Sequence, residues 1–495
     1  MKAELPSPEE TPRTVEPSLQ ESDYPHEDIH QTEMFTPFLR RKRTWLVFFS
    51  LVMLFVIARW MPQPYLAEME KGLDATKITL GLGILACIAF LWLTEALPLA
   101  ATALLVPLLS TLAGISDIKT ALLPFADPLI FMFFGGFALA SALSYQKVDL
   151  WIARKLILLG RGRFIPVALL LFGCTAFLSM WMSNTATTAM MLPIALGVIH
   201  RTGGTPSHNK NALFLLLGIA YSSSIGGLGT IIGSPPNGIA AAKLQINFTQ
   251  WMAFGIPCVL LLLPCMAFIL YKVCKPDKTL TIVEEEKSFV FNWHRTATLM
   301  IFGATALCWI CGSWIAKWLG ITVAIDTIIA LTSVFLLLYF RVVRWRDIDN
   351  GTDWSVLLLF GGGLSLSELL NRTGASTFLA RLLSSNIDGA PVILILAAAV
   401  AFAIISGELA SNTASAALLV PIFYSVSGEL GLSAASLVIP IALACSCSFM
   451  LPVGTPPNAI VFGTRLVPQM AMVKNGLLLN FACLIIIVLL SYLIL

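Results

Sequence analysis

The strongest constraint on what this chain can fold into is a succession of apolar runs, near residues 44–59, 78–93, 99–113, 164–199, 212–232, 251–273, 297–316, 321–340, 391–406, 432–451 and 472–495. Each is long enough, or nearly so, to cross the hydrocarbon core of a bilayer, which takes about 20 helical residues, so about eleven spans are expected. Composition agrees: 57% of residues are hydrophobic, 12% are charged and the mean hydropathy is +0.84, far outside the range of soluble globular chains. The expected architecture is an all-α polytopic membrane protein.

Residues 1–39 depart from that pattern, with nine acidic residues, two basic ones and six prolines. Such a composition buries too little apolar surface to fold and reads as a disordered acidic tail. It has neither the apolar core of a signal peptide nor the Arg-rich character of a transit peptide, so it is expected to be retained, as a solvated end rather than an interaction segment. Without it the chain carries 29 basic and 19 acidic residues, a net of +10, which is ordinary for cytoplasmic basic loops and does not imply nucleic acid. Arg40-Arg41-Lys42-Arg43 directly precedes the first run, placing the N-terminus in the cytoplasm by the positive-inside rule.

Two polar signatures stand out inside apolar segments: Ser183-Asn184-Thr185-Ala186 running on to Pro193, and Ser411-Asn412-Thr413-Ala414 running on to Pro421. Consecutive hydrogen-bonding side chains are costly where the bilayer offers no water. Each is followed by a loop of one design, Gly233-Ser234-Pro235-Pro236-Asn237 and Gly454-Thr455-Pro456-Pro457-Asn458. Each is preceded by a glycine-rich segment, Phe134-Gly135-Gly136 after Asp127 and Phe360-Gly361-Gly362-Gly363 after Asp353. The offsets are 226 residues from Asp127 to Asp353, 228 from Ser183 to Ser411 and 221 from Gly233 to Gly454. Three features in one order at nearly one offset mark a structural duplication, an architecture common among secondary transporters, where substrate binds near the midplane at broken helices. Mid-segment glycines are expected to break or bend their helices, so both glycine-rich stretches read as re-entrant hairpins.

The chemistry of these residues suits ions. A sodium ion takes about five or six hard oxygen ligands, which hydroxyls, amide oxygens and carbonyls freed by helix unwinding supply without a formal charge. Proline cannot donate and stops helices, so the Pro-Pro-Asn loops free carbonyls. For an anion the same residues offer donors: Asn N–H, hydroxyls, and backbone N–H at helix N-termini, where the dipole favours negative charge. No Lys or Arg lies within either signature or its loop, so an anion there would be compensated by helix ends and bound cations, and the two ions would bind cooperatively. A lone Ser or Thr in a membrane helix commonly bonds its own i−4 carbonyl or a neighbouring helix; the duplication is what favours a site.

Other candidates carry less. Cys308-Trp-Ile-Cys311 and Cys445-Ser-Cys447 lack accompanying histidines and read as packing, and the five histidines lie in the tail or at run ends. Glu95 ends an apolar run and reads as interfacial. Glu408, whose first-half counterpart is Met180, reads equally as a helix cap or as a buried carboxylate with a partner. The carboxylates Glu95, Asp127, Asp326, Asp353, Glu368 and Glu408 show no triad or metal spacing, which argues against an enzyme.

The paired Ser-Asn-Thr signatures with Gly-Ser-Pro-Pro-Asn and Gly-Thr-Pro-Pro-Asn-Ala-Ile-Val resemble the divalent anion/sodium symporter family, the sodium-dependent dicarboxylate transporters. The resemblance covers residues 40–495, including Trp92 to Pro98 and Phe360 to Gly363. It implies a homodimer with about eleven spans, two re-entrant hairpins, inverted repeats and an elevator movement of a transport domain against a scaffold domain. Scaffold helices would occupy 40–120 and 251–345, transport elements 121–250 and 346–470, and a C-terminal helix 471–495. The first sodium site would use Ser179, Ser183, Asn184 and Gly233, and the second Gly407, Ala410, Ser411, Asn412 and Gly454. Substrate would meet Asn184, Thr185, Ser234 and Pro235 from one half and Asn412, Thr413, Thr455 and Pro456 from the other. Gly407 is a departure, since the family often has Thr or Ser there, while the first half has Ser179.

The expected function is uptake of C4-dicarboxylates such as succinate, fumarate and malate, driven by co-transported sodium, in the cell membrane. The alternative, raised by Gly407, is sodium-independent dicarboxylate or 2-oxoacid exchange at the same site. Citrate or sulfate also fits the chemistry, whereas a channel fits compact polar binding sites less well.

Overall fold

A computed structural model describes residues 37–60, 74–160, 162–201, 210–277, 292–320, 324–387 and 389–494. The expected tail, 1–39, therefore lies almost wholly outside the described residues. Met1–Trp45 and Leu46–Leu495 form two units. The described residues of the first, 37–45, are helical; the remainder concerns the second.

Among the described residues the regular structure is helical, with no strand. Six helices are long and apolar enough to cross a membrane: Ala75–Thr94, Pro128–Tyr145, Phe248–Cys274, Trp354–Thr373, Val392–Leu409 and Gln469–Ile494. Trp293–Ile310 and Gly312–Leu319 qualify together but are bent by 78° at Cys311. Four shorter apolar helices accompany them: Leu99–Leu112, Phe164–Ser179, Ile325–Tyr339 and Ala434–Cys445. Several apolar runs are thus interrupted where polar side chains compete for the backbone: 164–199 splits at 180–183, and 432–451 stays helical only to Cys445.

The order of helices repeats. Apart from Gly312–Leu319, which is extra, the α-helices between Trp293–Ile310 and Gln469–Ile494 match in order those from Ala75–Thr94 to Phe248–Cys274; the 3-10 turn Leu123–Ala126 has no counterpart. The halves interlock, because Trp354–Thr373 packs on Leu99–Leu112 while Ile325–Tyr339 packs on Pro128–Tyr145.

The glycine-rich segments correct the expectation of a break. Pro128–Tyr145 and Trp354–Thr373 run as continuous helices through their glycines. The chain turns afterwards, at Gln146-Lys147 and at Gly374, where φ is +57° for Lys147 and +76° for Gly374. The glycines serve close approach instead: a Cβ on Gly135 would lie 2.7 Å from Ala330 Cβ, and one on Gly362 would lie 2.5 Å from Ala103 Cβ. Both pairs are related by the duplication, at an offset of 227, and both join a glycine-rich helix of one half to a helix of the other. Propensity against Gly in a helix, about 1 kcal/mol, is outweighed by interhelical contact, as in small-residue packing of membrane helices.

Candidate cation and anion site

Both Ser-Asn-Thr signatures sit where one helix ends and the next begins. Phe164–Ser179 gives way to Asn184–Arg201, and Val392–Leu409 to Asn412–Glu429. Ser and Asn favour such boundaries because their side chains replace the missing intrahelical bonds: Ser183 Oγ accepts from Ala186 N at 3.2 Å. The proline loops are boundaries too. Ser234 and Thr455 are extended N-cap residues (φ −147° and −141°) before Pro235–Leu244 and Pro456–Gly463, and proline at the first helical position is pre-set for that role.

Unwound backbone precedes each proline loop, and its carbonyls are held by the loop's own asparagine. Asn237 Nδ2 donates to Gly227 O at 2.8 Å and Thr230 O at 2.7 Å. Asn458 Nδ2 donates to Ser448 O at 3.2 Å and Leu451 O at 3.0 Å. The two patterns superpose at the 221-residue offset.

The first cluster gathers Ser179, Asn184, Ser223 and Gly233. The Asn184 side-chain amide lies 2.6 Å from Ser179 Oγ, and in the orientation that satisfies its surroundings its NH2 donates to that hydroxyl, to Ser223 O at 3.1 Å and to Gly233 O at 3.2 Å. The wall facing the amide thus consists of acceptor oxygens. Glycine is required here: a Cβ on Gly227 would lie 2.5 Å from the Asn184 side-chain amide, and one on Gly233 would lie 2.7 Å from Gly227 O.

The second cluster gathers Gly407, Asn412, Cys445 and Ser448. Ser448 Oγ donates to Asn412 Oδ1 at 3.0 Å. Glu408 borders this cluster; it is 7% exposed and accepts from Phe449 N (2.7 Å), Met450 N (2.8 Å), Leu451 N (3.1 Å) and Asn480 Nδ2 (2.7 Å). Residues flanking the two clusters meet, Ser234 Oγ lying 3.0 Å from Ser446 Oγ. Helix Pro235–Leu244 packs on Asn412–Glu429, and Pro456–Gly463 packs on Asn184–Arg201.

Among the expected residues, Ser179, Asn184 and Gly233 meet in one cluster, and Gly407 and Asn412 in the other. Gly454 borders the second, where its Cβ would lie 3.1 Å from Glu408 Oε2. The Ser183 hydroxyl is engaged as a helix cap. Ala410 is extended (φ −139°) and Ser411 is an N-cap whose side chain caps no backbone N–H. Ser234 and Thr455 are buried, the latter accepting from Asn458 N at 3.4 Å. Thr185 and Pro456 are exposed, and Pro235 and Thr413 half-buried.

The citrate transporter family profile matches residues 89–426. An uncharacterized transporter of Haemophilus influenzae is 48% identical over 423 residues, 84% of this chain and 92% of that protein. The sodium-dependent dicarboxylate transporter SdcS of Staphylococcus saprophyticus is 33% identical over 474 residues, 89% of each. The chain belongs to the citrate transporter family, of divalent anion/sodium symporter type. It is a multi-pass membrane protein and a transporter. The fold is also similar to the crystal structure of the Alcanivorax borkumensis YdaH transporter, with a TM-score of 0.52 at 16% identity, over 78% of this chain and 88% of that one.

In this family member, sequence reasoning passed over Ser223 and Ser448. The signal was present: Ser222-Ser223-Ser224 and Ser446-Cys447-Ser448 are further polar clusters within apolar runs. The second was read for its cysteines alone.

Proposed function

We propose that this transporter couples sodium influx to the uptake of C4-dicarboxylates such as succinate, fumarate and malate. The observation that carries the reading is the pair of acceptor-lined clusters at the broken helices, one per half, built from hydroxyls, amides and carbonyls. Substrate carboxylates would be met at the helix N-termini by Asn184, Thr185, Ser234 and Pro235 on one side and Asn412, Thr413, Thr455 and Pro456 on the other. Ser179, Ser183, Asn184 and Gly233 would serve the first sodium ion, and Gly407, Ala410, Ser411, Asn412 and Gly454 the second. The name of the SdcS relative supports both sodium and dicarboxylate.

On this reading the protein is a homodimer in the plasma membrane with its N-terminus in the cytoplasm. Paired elements around 121–250 and 346–470 carry the substrate past the remaining helices in an elevator movement, with 128–159 and 354–387 as helical hairpins. The test is radiolabelled succinate uptake into proteoliposomes under sodium, potassium or choline gradients. Asn184→Ala and Thr413→Ala should each lower sodium-driven uptake by about tenfold or more. Undiminished uptake by correctly inserted variants would sink the site assignment. Uptake that ignores sodium but requires internal dicarboxylate would establish exchange instead.

A further inference from the structure

The sodium-independent alternative rests on Gly407, which lacks the hydroxyl that Ser179 carries in the first half. The structure shows a reciprocal arrangement. In the first cluster the hydroxyl comes from the helix, at Ser179, and the facing unwound wall has Gly227. In the second, the helix has Gly407 and the facing wall has Ser448. The pairs correspond at the offsets of the motifs themselves, 228 from Ser179 to Gly407 and 221 from Gly227 to Ser448.

The geometry fits an exchange of walls. A Cβ on Gly407 would lie 2.6 Å from Ser448 Oγ, 2.8 Å from Cys445 O and 3.4 Å from Asn412 Oδ1. Three oxygens therefore border the space that Gly407 leaves open. In the first cluster the space left open by Gly227 is bordered by the Asn184 side-chain amide at 2.5 Å and Gly233 O at 2.9 Å. Across the pairs Ser179/Gly227 and Gly407/Ser448, each cluster thus sets a hydroxyl opposite a glycine that makes room; the first has a further hydroxyl at Ser223, 3.2 Å from Ser179 Oγ. Ser448 is fully buried and has an oxygen neighbour in Asn412 Oδ1 at 3.0 Å. The Glu408 carboxylate stands behind it, hydrogen-bonded to the next three backbone N–H groups. The groups that donate to it, three backbone N–H groups and the Asn480 amide, are neutral.

We propose that Ser448 is a ligand of the second sodium ion, supplying from the unwound wall the hydroxyl that Gly407 does not supply from the helix. The inference rests on the symport reading for the identity of the ion, and on the cluster geometry for the residue. It makes Gly407 a relocation of a ligand instead of a loss, so that both halves bind sodium.

The test uses full-length protein, with two readouts: sodium dependence of thermal stability in detergent, which needs no substrate, and sodium dependence of succinate uptake in proteoliposomes. Ser448→Ala and the near-isosteric Ser448→Cys should raise the half-saturating sodium concentration by about tenfold, equivalent to ~1.4 kcal/mol. Gly407→Ser should do the same by crowding the Ser448 hydroxyl. The double variant Gly407→Ser/Ser448→Gly, which copies the first-half arrangement, should recover sodium affinity to within about threefold of the parent, or ~0.65 kcal/mol. Sodium affinity unchanged in Ser448→Ala and Ser448→Cys overturns the proposal, as does a double variant that folds but is no better than Gly407→Ser alone. A parent protein that sodium stabilises but that does not accumulate succinate leaves Ser448 in place and refutes the dicarboxylate reading. A parent not stabilised by sodium over potassium or choline refutes the ligand assignment itself.

Discussion

Removing the Glu408 carboxylate should unfasten the unwound segment beside the second cluster. Its two oxygens gather the N–H groups of Phe449, Met450 and Leu451 together with the Asn480 amide, at 2.7 to 3.1 Å. Those N–H groups have no helical carbonyl to bond, because helix Ala434–Cys445 has already ended. Hydrogen bonds to a charged group contribute about 1.5–3 kcal/mol each, and a buried N–H left alone costs about 1–3 kcal/mol. Phe449 is fully buried, while Met450 and Leu451 are half-buried and can recruit water, so Glu408→Ala should destabilise by about 3–5 kcal/mol. Glu408→Gln keeps an acceptor for Phe449, Met450 and Asn480 but turns an NH2 toward Leu451 N, a loss of about 1–2 kcal/mol. Thermal melts of detergent-purified protein should rank parent, Gln variant, Ala variant in falling order. Hydrogen–deuterium exchange should accelerate across 446–455 before it does elsewhere. An Ala variant that melts with the parent and protects this segment equally would show that the carboxylate does not organise the turn.

Two further perturbations probe the duplicated framework. Gly362→Val should press a side chain into Ala103, whose Cβ lies 2.5 Å from the would-be Cβ, and destabilise by about 1–3 kcal/mol, seen as a lower melting temperature; Gly303→Ala, with open space around it, should leave the melt unaltered. Asn237→Ala and Asn458→Ala should each lose two hydrogen bonds to unwound carbonyls, lowering the melting temperature and raising the half-saturating sodium concentration together.

How much of this was legible in the sequence depends on the range of the interaction. The helical class followed from the apolar runs, and the breaks at 180–183 and 410–411 from polar residues placed where a helix has to yield. The Pro-Pro-Asn loops were legible for the same local reason. The glycine-rich helices were misread because Gly135 and Gly362 answer to Ala330 and Ala103, partners far away in sequence that periodicity does not reveal. Ser223 and Ser448 were missed because a serine within an apolar run is ordinarily bonded to its own helix; only the return of the chain brings Ser448 against Asn412. Glu408 was visible as an oddity, but its partners at 449–451 and 480 are set by tertiary structure.

The two halves distribute the same tasks over opposite walls. In the first, the helix contributes a hydroxyl at Ser179, and the loop contributes Thr230, which donates to Met180 O and accepts from Gly233 N. In the second, the loop contributes the hydroxyl at Ser448, and the helix holds the turn through Glu408. Positions 179, 180, 227 and 230 correspond to 407, 408, 448 and 451, and at each pair one half is polar where the other is not. A requirement attached to particular sequence positions would have kept the same residues polar in both copies. A requirement attached to a point in space, that an oxygen face the signature asparagine and that the unwound backbone be held, is met equally from either wall. The divergence between the copies is therefore what constraint on cavity chemistry produces, and it explains how Gly407 can interrupt the motif while the cluster around Asn412 retains its hydroxyl.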